Sequence, residues 1–324
     1  STQEAQAART AGLGVTPQPR THGSRYHAFV ELVRRQLGQV YREEDLRTEG
    51  LRIFTTLSPS EQEKAQSAVT DGLRELAERG LPASLQGALV LADVASGEVR
   101  ALVGDRDGDR VGFNRALQAR RQIGSVIKPL VYLLALEHQD DYNLLTPIED
   151  EPLILRQADG SDWQPDNYDG VSHGEVSLLE ALTRSYNQAA VRLGLNIGVS
   201  HLLARLDQLG VDAEVDAVPS VFLGAVELTP LEVTQIYQSL AAAGFSVPLR
   251  SVLAVETAEG GELVRYPLRM QPQPRREVIS VLNYALTQVV EQGTASRLPA
   301  LLGKPVTVAG KTGTTNDRRD SWFV

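Results

Sequence analysis

The most apolar run of the chain, Val126 to Leu136, carries Lys128 and Pro129 near its start. Proline has no amide hydrogen, and its ring collides with the carbonyl four residues back, so a helix accepts it only in the first turn. The run therefore predicts a helix that begins at about Ser125. It is also well short of the roughly 18 apolar residues that a bilayer span requires, and no other stretch approaches that length.

The chain has 324 residues, 42% hydrophobic and 23% charged, which suits two globular domains or one with an appendage. A net charge of -9 and a pI of about 5.2 disfavour nucleic acid as a partner and give no general pull toward an anionic membrane surface. The absence of cysteine excludes disulfides, thiolate metal sites and thiol catalysis, and fits an oxidising periplasm. Ser1-Thr-Gln-Glu lacks the basic start and apolar core of a signal peptide, and without an initial Met the chain reads as a fragment or a processed form. The histidines at 22, 27, 138, 173 and 201 form no ligand-spaced pair. They are expected in ordinary surface or packing roles, with no metal and no cofactor. A Ser-His-Asp triad stays open on spacing alone, although no Gly-x-Ser-x-Gly elbow is present.

Lysine usage is more telling. Of 32 basic residues only Lys64, Lys128, Lys304 and Lys311 are lysine. Arginine holds its proton near neutral pH, whereas a desolvated lysine releases it. A preference for arginine codons explains the scarcity of lysine but not where the four remain.

Residues 1–22 are polar and read as a linker or a frayed terminus. Phe29, Val30, Val33 and Leu37 make one helical stripe, and Leu51 to Leu57 alternates like a strand. Ser58-Pro-Ser-Glu61 is a capping box for a helix with Ala65, Ala68, Val69, Leu73 and Leu76 on one face, ended by Gly80-Leu-Pro82. A β-hairpin follows, with arms at 88–94 and 98–103 about the turn Ala95-Ser-Gly97. The stretch 177–245 reads as largely helical, with capping boxes at Ser177–Glu180 and Thr229–Glu232 and a stop at Gly244. Glu277 to Gln292 reads as an amphipathic helix closed by Gly293, and Val306 to Gly310 as a strand leading into Lys311.

Three motifs carry chemistry. In Gly124-Ser-Val-Ile-Lys-Pro129, Ser125 and Lys128 stand at i and i+3, on one helix face. A serine at a helix start feels the positive end of the dipole, and a lysine one turn on accepts its proton if burial or a second cation lowers its affinity. Ser185-Tyr-Asn187 falls where one helix ends and another, Gln188 to Leu195, begins. It offers a hydroxyl relay and an amide for a peptide carbonyl, or simply a turn. Lys311-Thr-Gly-Thr314 offers a cation and hydroxyls for a carboxylate, with Gly313 allowing close backbone approach; a charged strand edge would look the same.

Ser185 lies 60 residues beyond Ser125, and Lys311 lies 126 beyond Ser185. Ser-x-x-Lys, Ser-x-Asn and Lys-Thr-Gly in this order form a known signature set. The chain resembles the penicillin-binding protein and serine β-lactamase superfamily. Phe113-Asn-Arg-Ala116, Arg121 to Ser125, Trp163-Gln-Pro-Asp-Asn-Tyr168, Gly224 to Leu231 and Gly293-Thr-Ala295 look like the transpeptidase domain of class A, bifunctional penicillin-binding proteins. Residues 26–80, with Gly50 to Leu57, resemble the linker that precedes it.

The resemblance implies an α/β fold of the α+β type: a central antiparallel five-stranded sheet flanked by helices, an all-helical subdomain, and a small α/β linker module in front. It divides the chain into a linker, 1–84, and a transpeptidase domain, 85–324, with a glycosyltransferase domain and membrane anchor upstream. It implies a serine D,D-transpeptidase that cross-links peptidoglycan stem peptides on the periplasmic side of the inner membrane. A carboxypeptidase side activity, inhibition by β-lactams and cell-wall synthesis regulators as partners go with it. Ser125 would be the nucleophile, Lys128 its base and Ser185 a proton relay. Lys311, Thr312 and Thr314 would hold the terminal carboxylate, Gly313 would let the substrate backbone approach, and Asn187 would hold the peptide. The oxyanion would sit between the amides of Ser125 and Thr314.

Two relatives of the same fold compete. A class A β-lactamase needs a glutamate on its own loop and usually an Asp where Tyr186 stands, and this chain shows neither; a β-lactam sensor would lack the linker. In the family the Lys-Thr-Gly strand is followed by two strands and a helix that join it to the hairpin. With the sequence stopping at Asp320 to Val324, that strand is expected to be unpaired and the remainder supplied elsewhere.

Overall fold

The computed structural model describes residues 26–324 except 49, 109–111, 158, 243–244, 273–275 and 316–318. The polar stretch 1–22 and the helix stop at Gly244 lie outside the described residues.

The first helix, α1 (His27–Leu37), buries Phe29, Leu32, Val33 and Leu37. Leu32, not Val30, completes the expected stripe. Strand β1 (Arg52–Thr55) follows, then α2 (Pro59–Glu78), which starts at the expected Ser58 with Pro59 in its first turn. Its inner face departs from the apolar expectation. Gln62 is buried, and its amide bonds Leu102 twice, accepting from the backbone N–H at 2.7 Å and donating to the carbonyl at 3.1 Å. It stands in for a neighbouring strand, whereas Ala68 and Leu76 face solvent.

Strands β2 (Leu89–Ala92) and β3 (Val99–Val103) form the expected antiparallel hairpin. Val99 and Leu102 pack with Phe29, Leu32 and Val255, and Ala101 and Val103 with Ala65, so β3 is covered on both faces.

A 3₁₀ turn (Gly124–Ile127) leads into α3 (Lys128–Leu136), every residue of which is buried. Burying a leucine side chain contributes about 2 kcal/mol, so Leu130, Leu133 and Leu134 make α3 the axis of the main core. Around it lie β4 (Pro147–Asp150) paired with β5 (Gly174–Ser177), then α4 (Leu178–Arg184), α5 (Asn187–Ile197), α6 (Val199–Gln208) and α7 (Pro230–Ala241). The Thr229–Glu232 capping box is complete in both directions. At Ser177 only the side-chain bond to the Glu180 amide forms, and Ser58 makes no such bond to its helix.

The last elements are β6 (Val252–Glu256), β7 (Glu262–Arg265), α8 (Arg276–Glu291), β8 (Thr312–Thr314) and β9 (Ser321–Phe323). The widest sheet among the described residues joins β1, β6 and β7. The five-stranded sheet expected from the resemblance is represented among them by two separate antiparallel pairs, β2–β3 and β8–β9. A ladder needs adjacent strands, and these two pairs do not bond each other.

Two expectations are corrected. The Lys-Thr-Gly strand is not unpaired: Thr312, Gly313 and Thr314 face Phe323, Trp322 and Ser321 in antiparallel register. Val306 to Gly310 is not a strand, because its backbone has no ladder partner; pairing starts at Lys311, whose amide donates to the Val324 carbonyl at 2.8 Å.

Candidate active site

The site forms where the 3₁₀ turn, the α4–α5 junction and β8 converge. The first turn at Ser125 is 3₁₀ rather than α, and α3 proper begins at Lys128. With three residues per turn, positions i and i+3 eclipse, so Ser125 and Lys128 sit in line more directly than an α-helix would place them. Two backbone approaches fix this turn. Gly124 has φ +54°, and a Cβ there would stand 2.6 Å from the Thr314 carbonyl oxygen. Gly224 packs on its other side, where a Cβ would stand 2.1 Å from the Gly124 carbonyl oxygen. Tyr237 donates to the Val126 carbonyl at 2.8 Å, and the Trp322 indole to the Gln122 carbonyl at 3.0 Å. The Ser125 backbone is thereby pressed against β8.

Lys128 is fully buried, yet its ammonium meets four oxygens. They are the Ser185 carbonyl at 2.7 Å, the Ser185 hydroxyl at 3.3 Å, the Tyr186 carbonyl at 3.2 Å and Asn187 Oδ1 at 2.7 Å. All four belong to the turn between α4 and α5. Among the described residues Ser185 is the one non-glycine with positive φ, at 62°. Such a conformation costs about 1–3 kcal/mol and persists where its surroundings hold it; here it closes α4 in a Schellman turn, the Ser185 amide donating to the Leu182 carbonyl at 3.1 Å and the Tyr186 amide to the Ala181 carbonyl at 2.9 Å, with two lysines bonded to it.

Lys311 is the second. It is also fully buried and donates to the Ser185 hydroxyl at 2.8 Å and to the Thr312 carbonyl at 3.0 Å. The Ser185 oxygen thus lies between the two amines. Burial lowers the proton affinity of both. It takes Lys311 down to about 7. Lys128 falls well below its ordinary value, first through burial and then through the charge of Lys311, while Asp150 opposes the shift.

Thr312 is half-buried and pairs its hydroxyl with that of Thr294 at 2.6 Å. Gly313 is buried against Ile123, and Thr314 is exposed. Direct bonds thus join Lys128, Ser185, Asn187 and Lys311, while Ser125, Gly313 and Thr314 are brought alongside by backbone contact. Ser125 is partly buried, and its hydroxyl makes no hydrogen bond among the described residues.

Sequence reasoning missed a layer behind this one. Asp150 is fully buried and accepts from Asn167 Nδ2 at 2.6 Å, from the Ala189 amide at 3.1 Å, and from His173 Nδ1 at 2.8 Å. Its one available signal was alternation: in β4, Ile148 and Asp150 point the same way, inward. His173, expected to play an ordinary role, stacks on Tyr186 with ring centroids 4.0 Å apart.

This chain is similar to known proteins over nearly its whole length. It is 42% identical over 302 residues to penicillin-binding protein 1B of Vibrio cholerae, covering 93% of this chain and 39% of that one. It is 38% identical over 313 residues to penicillin-binding protein 1B of Escherichia coli, covering 95% and 36%. The chain therefore spans about two fifths of the length of such relatives. Among solved structures, penicillin-binding protein 1A of Haemophilus influenzae shares the fold with a TM-score of 0.80 at 21% identity, covering 100% of this chain and 67% of that one. PonA1 of Mycobacterium tuberculosis in complex with penicillin V shares it at 0.73 and 24%, covering 91% and 79%. Residues 87–321 match the penicillin binding protein transpeptidase domain, and the chain belongs to that family.

Proposed function

We propose that this site carries out serine acyl transfer on peptidoglycan stem peptides ending in D-Ala-D-Ala. The observation that carries the reading is the Ser185 hydroxyl held between Lys128 and Lys311, at 3.3 and 2.8 Å. Lys128, in its neutral form, takes the Ser125 hydroxyl proton. The Ser125 oxygen bonds to the carbonyl carbon of the penultimate D-Ala. The negative charge that develops on the carbonyl oxygen is held by the amides of Ser125 and Thr314, and losing one such donor typically costs a factor of ~10² to 10³. As the C–N bond breaks, the proton passes from Lys128 through the Ser185 hydroxyl to the departing D-Ala amine. An amine of a second stem peptide then attacks the ester and frees Ser125; attack by water gives the carboxypeptidase side reaction.

Lys311 supplies the positive charge for the terminal carboxylate, with the hydroxyls of Thr312 and Thr314 beside it and Gly313 leaving room for the substrate backbone. Asn187 keeps one amide hydrogen for a peptide carbonyl, since its Oδ1 faces Lys128 and its Nδ2 also donates to the Asp166 carbonyl at 2.6 Å. A β-lactam would acylate the same Ser125, in keeping with the penicillin V complex of the similar PonA1.

In this reading residues 1–84 are the linker to a glycosyltransferase domain and 85–324 belong to the transpeptidase domain. The site works on the periplasmic side of the inner membrane, where its substrate is. Among the described residues no helix is long and apolar enough to cross a membrane. Intact mass after penicillin treatment tests the assignment. Wild type gains one penicilloyl group and Ser125→Ala gains none; an adduct on Ser125→Ala overturns it, and sustained turnover of nitrocefin would reassign the chain as a β-lactamase.

A further inference from the structure

The Ser185–Asn187 turn is held from behind by a carboxylate that takes no part in the steps above. Asp150 closes β4, and besides Asn167, Ala189 and the His173 ring it accepts from the His173 backbone amide at 3.1 Å. A charge so enclosed is costly unless it is fully bonded. Here it sits against the first turn of α5, whose free amides favour an anion. Asn167 passes the restraint forward. Its Nδ2 holds Asp150 while its Oδ1 accepts from the amides of Asn187 at 2.6 Å and Gln188 at 3.3 Å. His173 does the same for Tyr186 by stacking on it. Its other ring nitrogen lies 3.2 Å from the half-exposed Asp169.

Tyr186 and Asn187 are thus each fastened to Asp150 through one intermediate. Their opposite sides, with Ser185, supply all four oxygens around Lys128. We propose that Asp150, acting through Asn167 and His173, is the positioning residue that fixes the Ser185–Asn187 turn against Lys128. Its fixed negative charge has a second effect. Two charged side chains bear on Lys128, Lys311 just before β8 and Asp150 at the end of β4; Tyr132, one turn along α3, is a phenol that burial keeps neutral. Asp150 is the one anion among them, so it offsets part of what burial and Lys311 do. The proposal rests on reading Lys128 as the base for Ser125.

The test is the rate of acylation by a fluorescent penicillin across pH, with the thermal midpoint of each variant. Asp150→Asn is expected to slow acylation at neutral pH about tenfold or more, and to move the acid limb of the profile to lower pH. Without the anion, Lys128 loses its proton more easily. Asn167→Ala is expected to slow acylation to a similar degree with the limb unmoved, because the charge remains. A wild-type rate in either variant, or a slowed Asp150→Asn with an unmoved limb, overturns the proposal; the latter is the mark of a merely structural residue. If Asp150→Asn does not fold, Asn167→Ala decides. A slowed rate with an unchanged thermal midpoint supports the proposal, and anything else overturns it. Labelling of Ser125→Ala separately reports failure of the underlying assignment.

Discussion

Gly124→Ala isolates what the backbone packing at Ser125 contributes. Two costs add. At φ +54° an alanine suffers the left-handed penalty of about 1 kcal/mol. Its Cβ would also stand 2.6 Å from the Thr314 carbonyl oxygen, and relief to an ordinary 3.4 Å contact moves β8 by about 0.8 Å. Overpacking of this kind costs about 1–3 kcal/mol, for a total near 2–4 kcal/mol. Gly210 is the internal control, with φ +75° and nothing within 4 Å of its ideal Cβ. Gly210→Ala should therefore lose only the conformational ~1 kcal/mol. Urea unfolding of the two variants separates the clash from the strain. The same displacement carries the Thr314 amide away from the oxyanion position, and a misplacement near 1 Å can cost up to about 100-fold in rate. Penicillin acylation should fall by that order in Gly124→Ala and stay unchanged in Gly210→Ala. If Gly124→Ala is no less stable than Gly210→Ala and acylates within about twofold of wild type, the contact does not position the site.

Other outcomes follow from individual residues. Lys311 has its affinity lowered to about 7 in the folded protein, so the unfolded chain binds the extra proton between about pH 7 and 10 and stability rises with pH across that window. Lys128, lowered as well, adds to the same slope, so in urea unfolding the gain from about pH 7 to 9 should be smaller by about 2 kcal/mol in Lys311→Met than in wild type; an undiminished slope would refute the assignment. Thr229→Ala removes a complete capping box and should cost about 1 kcal/mol by thermal unfolding, whereas Ser58→Ala, with no capping bond to lose, should cost less. Arg205→Ala removes two bonds to the Glu137 carboxylate, at 3.0 and 2.8 Å, and should destabilise by about 2 kcal/mol. A value below about 1 kcal/mol would class the pair with surface ion pairs.

Local rules made parts of this fold legible. Pro129 fixed the start of α3 to within a turn, and the Thr229 box fixed that of α7, because each acts within four residues. What escaped depended on partners far along the chain. Gln62 is polar on a helix face, and only β3 explains its burial. Val306 to Gly310 has strand composition but no neighbour to bond. The three motifs were readable as an ordered set, whereas the left-handed Ser185 was not, since a helix end of this kind is signalled by glycine or asparagine and here carries serine. Asp150 was invisible for a related reason: a carboxylate in a short alternating strand looks like surface until Asn167 and His173 close over it.

The ladder between β1 and β6 has a mechanical consequence. Arg52, Ile53 and Phe54 lie opposite Glu256, Val255 and Ala254, about 200 residues away along the chain. Hydrogen bonds in an antiparallel ladder run perpendicular to the strands, so a load between the N-terminal ends of β1 and β6 shears them together, whereas one between Arg52 and its neighbour Glu256 opens them one at a time. A fragment beginning after β1 would leave β6 with an open edge of the kind that recruits foreign strands.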